Sequence, residues 1–250
     1  MQVRLERKAL PADCLPHLLL RFESNGSHRH MRVAPYSATF RNLNRALKAE
    51  PLPAMSNGSA LRRELRARRR AIAGIQRQQA ARKLARLVDQ ARWLRPGRRI
   101  GLYLALPEEL DSAPLLQLAR RRGCVIALPR VLSKRHSRMR FFEFDGSMKR
   151  GAYGILEPGG KRGLRARDLD VVFMPLVGFD AAGNRMGMGK GFYDRCFAHR
   201  RRLHRWRRPL LVGIAYEVQQ VSSLQGARHD VSVDVIVTES AMRRIPGRRA

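Results

Sequence analysis

The chain has 250 residues, 44% hydrophobic and 28% charged, which is enough for one well-buried domain or two small ones and is typical of a globular protein. Its longest apolar runs, at 18–20 and 171–177, fall far short of the roughly 20 residues that a membrane-spanning helix needs, and an N-terminus carrying Glu6 and Asp13 lacks the apolar core of a secretory signal. The formal charge of +31 suggests a polyanionic partner, but 44 of the 51 basic residues are arginine, a bias that GC-rich codon usage produces without selection for any partner.

Residues 1–54 carry Pro11, Pro16, Pro35, Pro51 and Pro53, a polar cluster at Ser24–His28, and no sustained helical or strand period. This pattern predicts an unstructured extension, with the domain starting at Met55 and running to about residue 246. From Ala60 to Ile75, Leu61, Leu65, Ile72 and Ile75 share one helical face, flanked by Arg62, Arg66, Arg69 and Arg70. A second helix is expected from Gln79 to Trp93, ended by Pro96-Gly97.

Ile100–Leu104 reads as a buried strand. A helix from Ala113 to Arg122 follows, with Ser112 as its cap, Pro114 in its first turn and Gly123 as its stop. Val125–Leu128 is the next strand, so the segment forms a βαβ unit, which implies a parallel sheet covered by helices. Further strands are expected at Met139–Phe144, Leu169–Pro175, Leu210–Tyr216 and Val233–Thr238, with a helix over Phe192–Arg202. The fold class is α/β, one domain with an open, mixed or mostly parallel sheet. Cys14, Cys124 and Cys196 are widely spaced, with no CxxC pair, which predicts a reducing, cytoplasmic setting and no structural metal.

The segment Phe179–Arg195, FDAAGNRMGMGKGFYDR, follows a buried strand and precedes a helix, where ligands bind in open α/β sheets. Gly187, Gly189 and Gly191 alternate, so the backbone can approach a ligand and point N–H groups at phosphate oxygens. Arg185 and Lys190 add fixed positive charge, and Asp194 adds a carboxylate suited to a divalent cation. The spacing matches neither GxxxxGK[ST] nor GxGxxG, so it points to a phosphorylated ligand with metal held in an uncommon loop. A tight strand-to-helix connection accounts for the glycines alone, though not for Asp180, Gly183, Arg185, Lys190, Tyr193 and Asp194 together.

At Pro175–Arg195 the chain resembles the 5-formyltetrahydrofolate cyclo-ligase family, whose signature runs P-L-V-x-F-D-x-x-G-x-R-x-G-x-G-x-G-[FY]-Y-D-R. The resemblance extends to Tyr103–Asp111 with Glu109, Leu128-Pro129, Gly154–Pro158, Gly213–Tyr216 with Gln219, His229–Val231 and Val237–Glu239, and covers about residues 60–239. It implies a single three-layer α/β domain and an ATP- and Mg2+-dependent conversion of 5-formyltetrahydrofolate to 5,10-methenyltetrahydrofolate, with ADP and phosphate released. By the same resemblance Arg62 and Arg185, Met186, Gly187, Met188, Gly189, Lys190, Gly191, Phe192 and Tyr193 would hold ATP. Asp194 and Asp230 would serve magnesium, and Leu104, Glu109, Met188 and Phe192 would face the folate. The family's helical Lys, four residues before the Arg matched by Arg62, aligns with Gly58 here.

That chemistry needs no protein nucleophile, because the formyl oxygen and a folate nitrogen are the attacking groups. The protein supplies in-line geometry and charge, with Arg185 and Lys190 as the catalytic cations. The partners implied are small molecules, ATP and a reduced folate with an anionic glutamate tail, acting on a monomer. Two other readings stay open on sequence: a basic nucleic-acid-binding protein using clusters such as Arg200–Arg202 and Arg205–Arg208, and a non-catalytic relative that binds nucleotide or folate.

Overall fold

The computed structural model describes residues 58–202 and 208–246. The expected extension, the start at Met55 and the middle of the arginine cluster at 200–208 lie outside the described residues. Helix α1 (Gly58–Arg70) buries Leu61 and Leu65, as their spacing predicts, and α2 (Gly74–Gln90) buries Ala80, Ala81, Leu84 and Val88. The boundary between them differs from the expected one: α2 begins five residues earlier than predicted, and Ile75 stands 68% exposed in its first turn. The break is held by Arg77, whose guanidinium donates to the carbonyls of Arg69 at 2.8 Å and Ile72 at 2.9 Å, groups that the end of α1 leaves without helical partners.

Strand β1 (Arg99–Gly101), helix α3 (Ala113–Arg121) and strand β2 (Val125–Ser133) form the expected βαβ unit, with β1 and β2 parallel. Ser112 is the N-cap residue of α3, as expected, but its hydroxyl makes no cap bond; the carboxylate of Asp111 accepts from the N–H of Ala113 at 2.9 Å. Ser112 instead donates to the carbonyl of Tyr103 at 2.6 Å and ties the helix start to the end of β1. Gly101 is required by close approach, since a Cβ there would lie 2.9 Å from Val172 Cγ2.

Strands β3 (Arg138–Glu143), β4 (Met148–Arg150), β5 (Leu156–Pro158), β6 (Gly163–Leu164), β7 (Val171–Pro175), β8 (Gly178–Phe179) and β9 (Arg185–Met186) follow. After them come the short helices α4 (Phe192–Cys196) and α5 (His199–Arg202), then β10 (Leu210–Ile214), β11 (Val235–Val237) and β12 (Met242–Arg244). The main sheet has eight strands in the order β12-β11-β10-β7-β1-β2-β3-β6. Its inner strands β11, β10, β7, β1 and β2 run parallel, β12 and β3 pair antiparallel to them at either side, and β6 pairs antiparallel to β3. The sheet is therefore mixed, with a parallel centre.

Along β7 alternate residues serve opposite faces. Val171 and Phe173 pack with Leu84, Val88 and Leu115 of α2 and α3, while Val172 and Met174 pack with Phe197, Val233 and Ile245 on the other side. These are the three layers. The second face also holds a buried ion pair, Arg200 with Asp234, at 2.6 and 2.9 Å. No helix among the described residues is long and apolar enough to cross a membrane. Because β1 has β2 on one side and β7 on the other, the chain leaves this pair of strands in opposite directions and opens a crevice at their carboxyl ends, the usual ligand position in such sheets.

Candidate functional site

That crevice holds a cavity of about 760 Å³. Its floor is Pro175, Leu176 and Val177, just past β7, and its rim is the loop 185–191 with Gly58 and Arg62 from the start of α1. The β8–β9 hairpin carries the loop, and Asp180 closes the hairpin turn by accepting from the N–H groups of Ala182 at 3.0 Å and Asn184 at 2.9 Å. Gly189 and Gly191 have φ of +87° and +66°, conformations that a side chain would strain, so their glycine identity is dictated by the loop path. The helix that follows has only five residues, far shorter than the predicted 192–202 span, because the chain breaks at Phe197-Ala198. So short a helix has little dipole, and anion binding here falls to loop N–H groups and side-chain cations.

All of the expected phosphate-site residues, Arg62, Arg185, Met186, Gly187, Met188, Gly189, Lys190, Gly191, Phe192 and Tyr193, line this one cavity, together with Asp194 and Asp230. Arg62 reaches across from α1 and donates Nε to the carbonyl of Gly187 at 2.9 Å. Arg185 is less available than the sequence suggests. Its Nη2 donates to Asp194 Oδ1 at 2.5 Å and its Nε to the carbonyl of Val231 at 2.8 Å, which leaves Nη1 beside Gly187. Asp194 Oδ1 also accepts from the N–H of Val231 at 3.0 Å, and Oδ2 lies on the Gly191 side. Lys190 is exposed on the rim.

For a magnesium ion the donor chemistry fits: Asp194 Oδ2 and the carboxylate of Asp230 are hard oxygen donors on the same cavity wall. No cluster of three His, Cys, Asp or Glu side chains that could hold a metal occurs among the described residues. A cation here would thus complete its shell with ligand phosphate oxygens and water, the usual arrangement for Mg2+. His229 sits 3.8 Å from Asp230 and is largely exposed.

A second, apolar pocket of about 200 Å³ adjoins the first and shares Glu109, Pro175, Phe192 and Tyr193 with it. Of these two pockets Leu104 lines the second and Met188 the first, so the expected folate residues divide between them. Glu109 is buried at the junction. Its Oε2 accepts from the N–H of Leu106 at 3.0 Å, and burial raises its carboxyl above the ordinary range. Burial likewise raises the Tyr193 hydroxyl, whose ring stacks on Phe197.

Sequence reasoning left several lining residues without a role. Tyr153, Ile155, Leu156 and Glu157 enclose the apolar pocket from the β4–β5 hairpin, and Tyr153 meets the Phe192 ring edge-on at 6.2 Å. They lie in or next to the G-I-x-E-P turn, and nothing local showed that this turn folds over Leu104, Phe192 and Tyr193, which are distant in sequence. Arg195, the last residue of the glycine-rich signature, also lines the larger cavity and donates to the carbonyl of Lys190 at 2.9 Å. Gly58 lines the cavity with nothing within 4 Å of a Cβ there, so the space that a longer side chain would occupy is open.

The sheet order and the paired pockets define the class: an α/β domain with two adjoining pockets at the switch point of a parallel-centred sheet, one lined by a glycine loop and cations and the other largely apolar. Residues 54–239 match the model of the 5-formyltetrahydrofolate cyclo-ligase family, and the chain belongs to that family. It is 32% identical over 188 residues to the 5-formyltetrahydrofolate cyclo-ligase of Haemophilus influenzae, covering 71% of this chain and 95% of that one. The enzyme of the same name from Escherichia coli is 30% identical over 186 residues, covering 70% and 97%. Among solved structures, the Aquifex aeolicus 5,10-methenyltetrahydrofolate synthetase superposes with a TM-score of 0.65 at 28% identity, covering 77% of this chain and 95% of that one.

Proposed function

We propose that the protein catalyses the ATP- and magnesium-dependent conversion of 5-formyltetrahydrofolate to 5,10-methenyltetrahydrofolate, with release of ADP and phosphate. The observation that carries this reading is the junction of the two pockets. A cleft lined by Arg62, Arg185, Lys190 and the glycine loop meets an apolar pocket of pterin scale at Glu109, Phe192 and Tyr193. Family membership supports the same substrates.

In this reading ATP lies in the larger cleft, with its phosphates on the loop N–H groups and on Lys190, Arg62 and Arg185 Nη1. Asp194 and Asp230 would hold Mg2+, which supplies charge neutralisation on the phosphates when bound. The pterin enters the apolar pocket against Leu104, Phe192 and Tyr153, and Glu109 accepts from its polar edge. Met188, on the loop, covers the place where the two substrates meet. The formyl oxygen of the folate then attacks the γ-phosphoryl group in line, and ADP leaves. A neighbouring folate N–H nitrogen attacks the activated formyl carbon, closes the ring, gives up its proton to the departing phosphate or water, and expels phosphate. The chain contributes position and positive charge.

The open space at Gly58 removes one cation from the nucleotide side, and Arg195 on the same cleft is placed to supply it. Cys124 and Cys196 are free thiols, as suits a cytoplasmic enzyme acting as a monomer on small molecules. Purified protein mixed with Mg2+, ATP and 5-formyltetrahydrofolate is expected to form the methenyl chromophore. Absence of product above a control without ATP overturns the proposal.

A further inference from the structure

Helix α1 carries a row of arginines that the sequence presents as a basic flank. Arg62 ends on the phosphate loop at the carbonyl of Gly187. The other three converge on one carboxylate. Arg66 Nε donates to Glu108 Oε1 at 2.8 Å, Arg69 Nη2 to the same oxygen at 2.7 Å, and Arg70 Nη1 to Oε2 at 3.3 Å. Arg69 is the buried member, with a side chain only 2% exposed; its Nη1 reaches the carbonyl of Leu176, on the floor of the cleft, at 3.4 Å. From α2, Arg77 grips the preceding residue, donating to the carbonyl of Pro107 at 2.6 Å. Four arginines thus hold the turn 106–109, and the next residue after Glu108 is Glu109, at the junction of the two pockets.

We infer that Glu108 is a positioning residue: through Arg66, Arg69 and Arg70 it fixes the turn that aims Glu109 at the folate. The physical reason is that arginine and carboxylate in this geometry exchange several charge-assisted hydrogen bonds, and among the described residues the carboxylate that forms an ion pair with the buried Arg69 is Glu108, at 2.7 Å. Without that partner the turn loses its direction, while the Glu109 side chain itself is unaltered. The inference rests on the folate reading of the site.

Its test is steady-state kinetics on the full chain. Glu108→Gln keeps shape but removes the charge, and is expected to raise KM for 5-formyltetrahydrofolate about tenfold, the cost of one charge-assisted contact, with KM for ATP changed less than twofold. Should that variant fail to fold, the double variant Arg66→Gln/Arg70→Gln decides, because it alters only the more exposed members; an increase of about threefold in folate KM, again without change for ATP, is expected. Glu108→Asp, which keeps the charge, should restore part of the folate KM. Unchanged folate KM in the folded variants, or equal increases for both substrates, overturns the inference while leaving the activity intact. An inactive wild-type protein overturns the folate reading and the inference with it.

Discussion

Replacing Asp194 with asparagine separates its ion pair with Arg185 from the magnesium role proposed for it, because the two fall on different oxygens. Oδ1 accepts from Arg185 at 2.5 Å and from the N–H of Val231 at 3.0 Å, and the Arg185 side chain is only 6% exposed. Asparagine keeps one oxygen for these donors but turns a charge-assisted bond into a neutral one, a loss of about 1–2 kcal/mol. For a chain of this size that lowers Tm by roughly 2–8 °C. Alanine would leave the Arg185 charge buried without a partner and cost about 3–5 kcal/mol, which makes asparagine the cleaner probe. The second effect falls on Oδ2: losing an anionic ligand is expected to raise the Mg2+ concentration for half-maximal turnover by roughly ten- to a hundredfold. Thermal melting reads the first effect and the methenyl absorbance assay over a Mg2+ series reads the second. An unchanged Mg2+ requirement would show that Asp194 is only the counter-ion of Arg185, and an unchanged Tm would show that the ion pair contributes nothing to the fold.

Asp234→Ala removes the carboxylate that accepts from Arg200 twice and from the N–H of Leu211 at 2.8 Å, so unfolding in urea is expected to show about 3–5 kcal/mol lost. Gly189→Ala places a side chain at φ +87° with its Cβ 3.8 Å from the Arg62 guanidinium carbon. There is room, so the cost is backbone strain of about 1–2 kcal/mol in the loop, read as a roughly five- to thirtyfold rise in KM for ATP with little change for folate; equal KM values would show that the loop does not hold the nucleotide. Burial raises the Glu239 carboxyl to about 7. Since the folded-state value exceeds the unfolded one, its contribution to stability is complete below about pH 4.5 and is lost as pH rises through about 7. Glu239→Gln should flatten that decline and make the protein more stable than wild type at pH 8, by up to about 3 kcal/mol; chemical denaturation at pH 5 and pH 8 checks it.

Local pattern reached far into this fold where one element carries its own signal. The run Val171–Pro175 is apolar at every position because a central parallel strand is buried on both faces, and β7 lies there. The βαβ unit from β1 to β2 was legible from Gly123 and the apolar runs. The edge elements were not. Strands β4, β5 and β6 are two or three residues long, too short to carry a period; β4 and β5 pair only with each other, and β6 pairs with Phe141 and Phe142, more than 20 residues before it. Ile75 was placed on the face of α1 by its spacing, but the chain breaks before it because Arg77 folds back onto the carbonyls of Arg69 and Ile72.

The opening puzzle of excess charge divides in the same way. From sequence alone, arginine content is a number, and Arg66, Arg69 and Arg70 look like a solvated flank. The tertiary structure turns them inward onto Glu108, a residue about 40 positions away, and pairs Arg185 with Asp194 and Arg200 with Asp234. What the sequence by itself determined is the chemistry available at the glycine-rich loop, because backbone freedom, cations and a carboxylate lie within one short segment. What only the tertiary structure decided is which charges are spent on the fold and which face the cleft, because an ion pair is set by distance in space, and the sheet order alone brings α1, the 106–109 turn and the loop to one crevice.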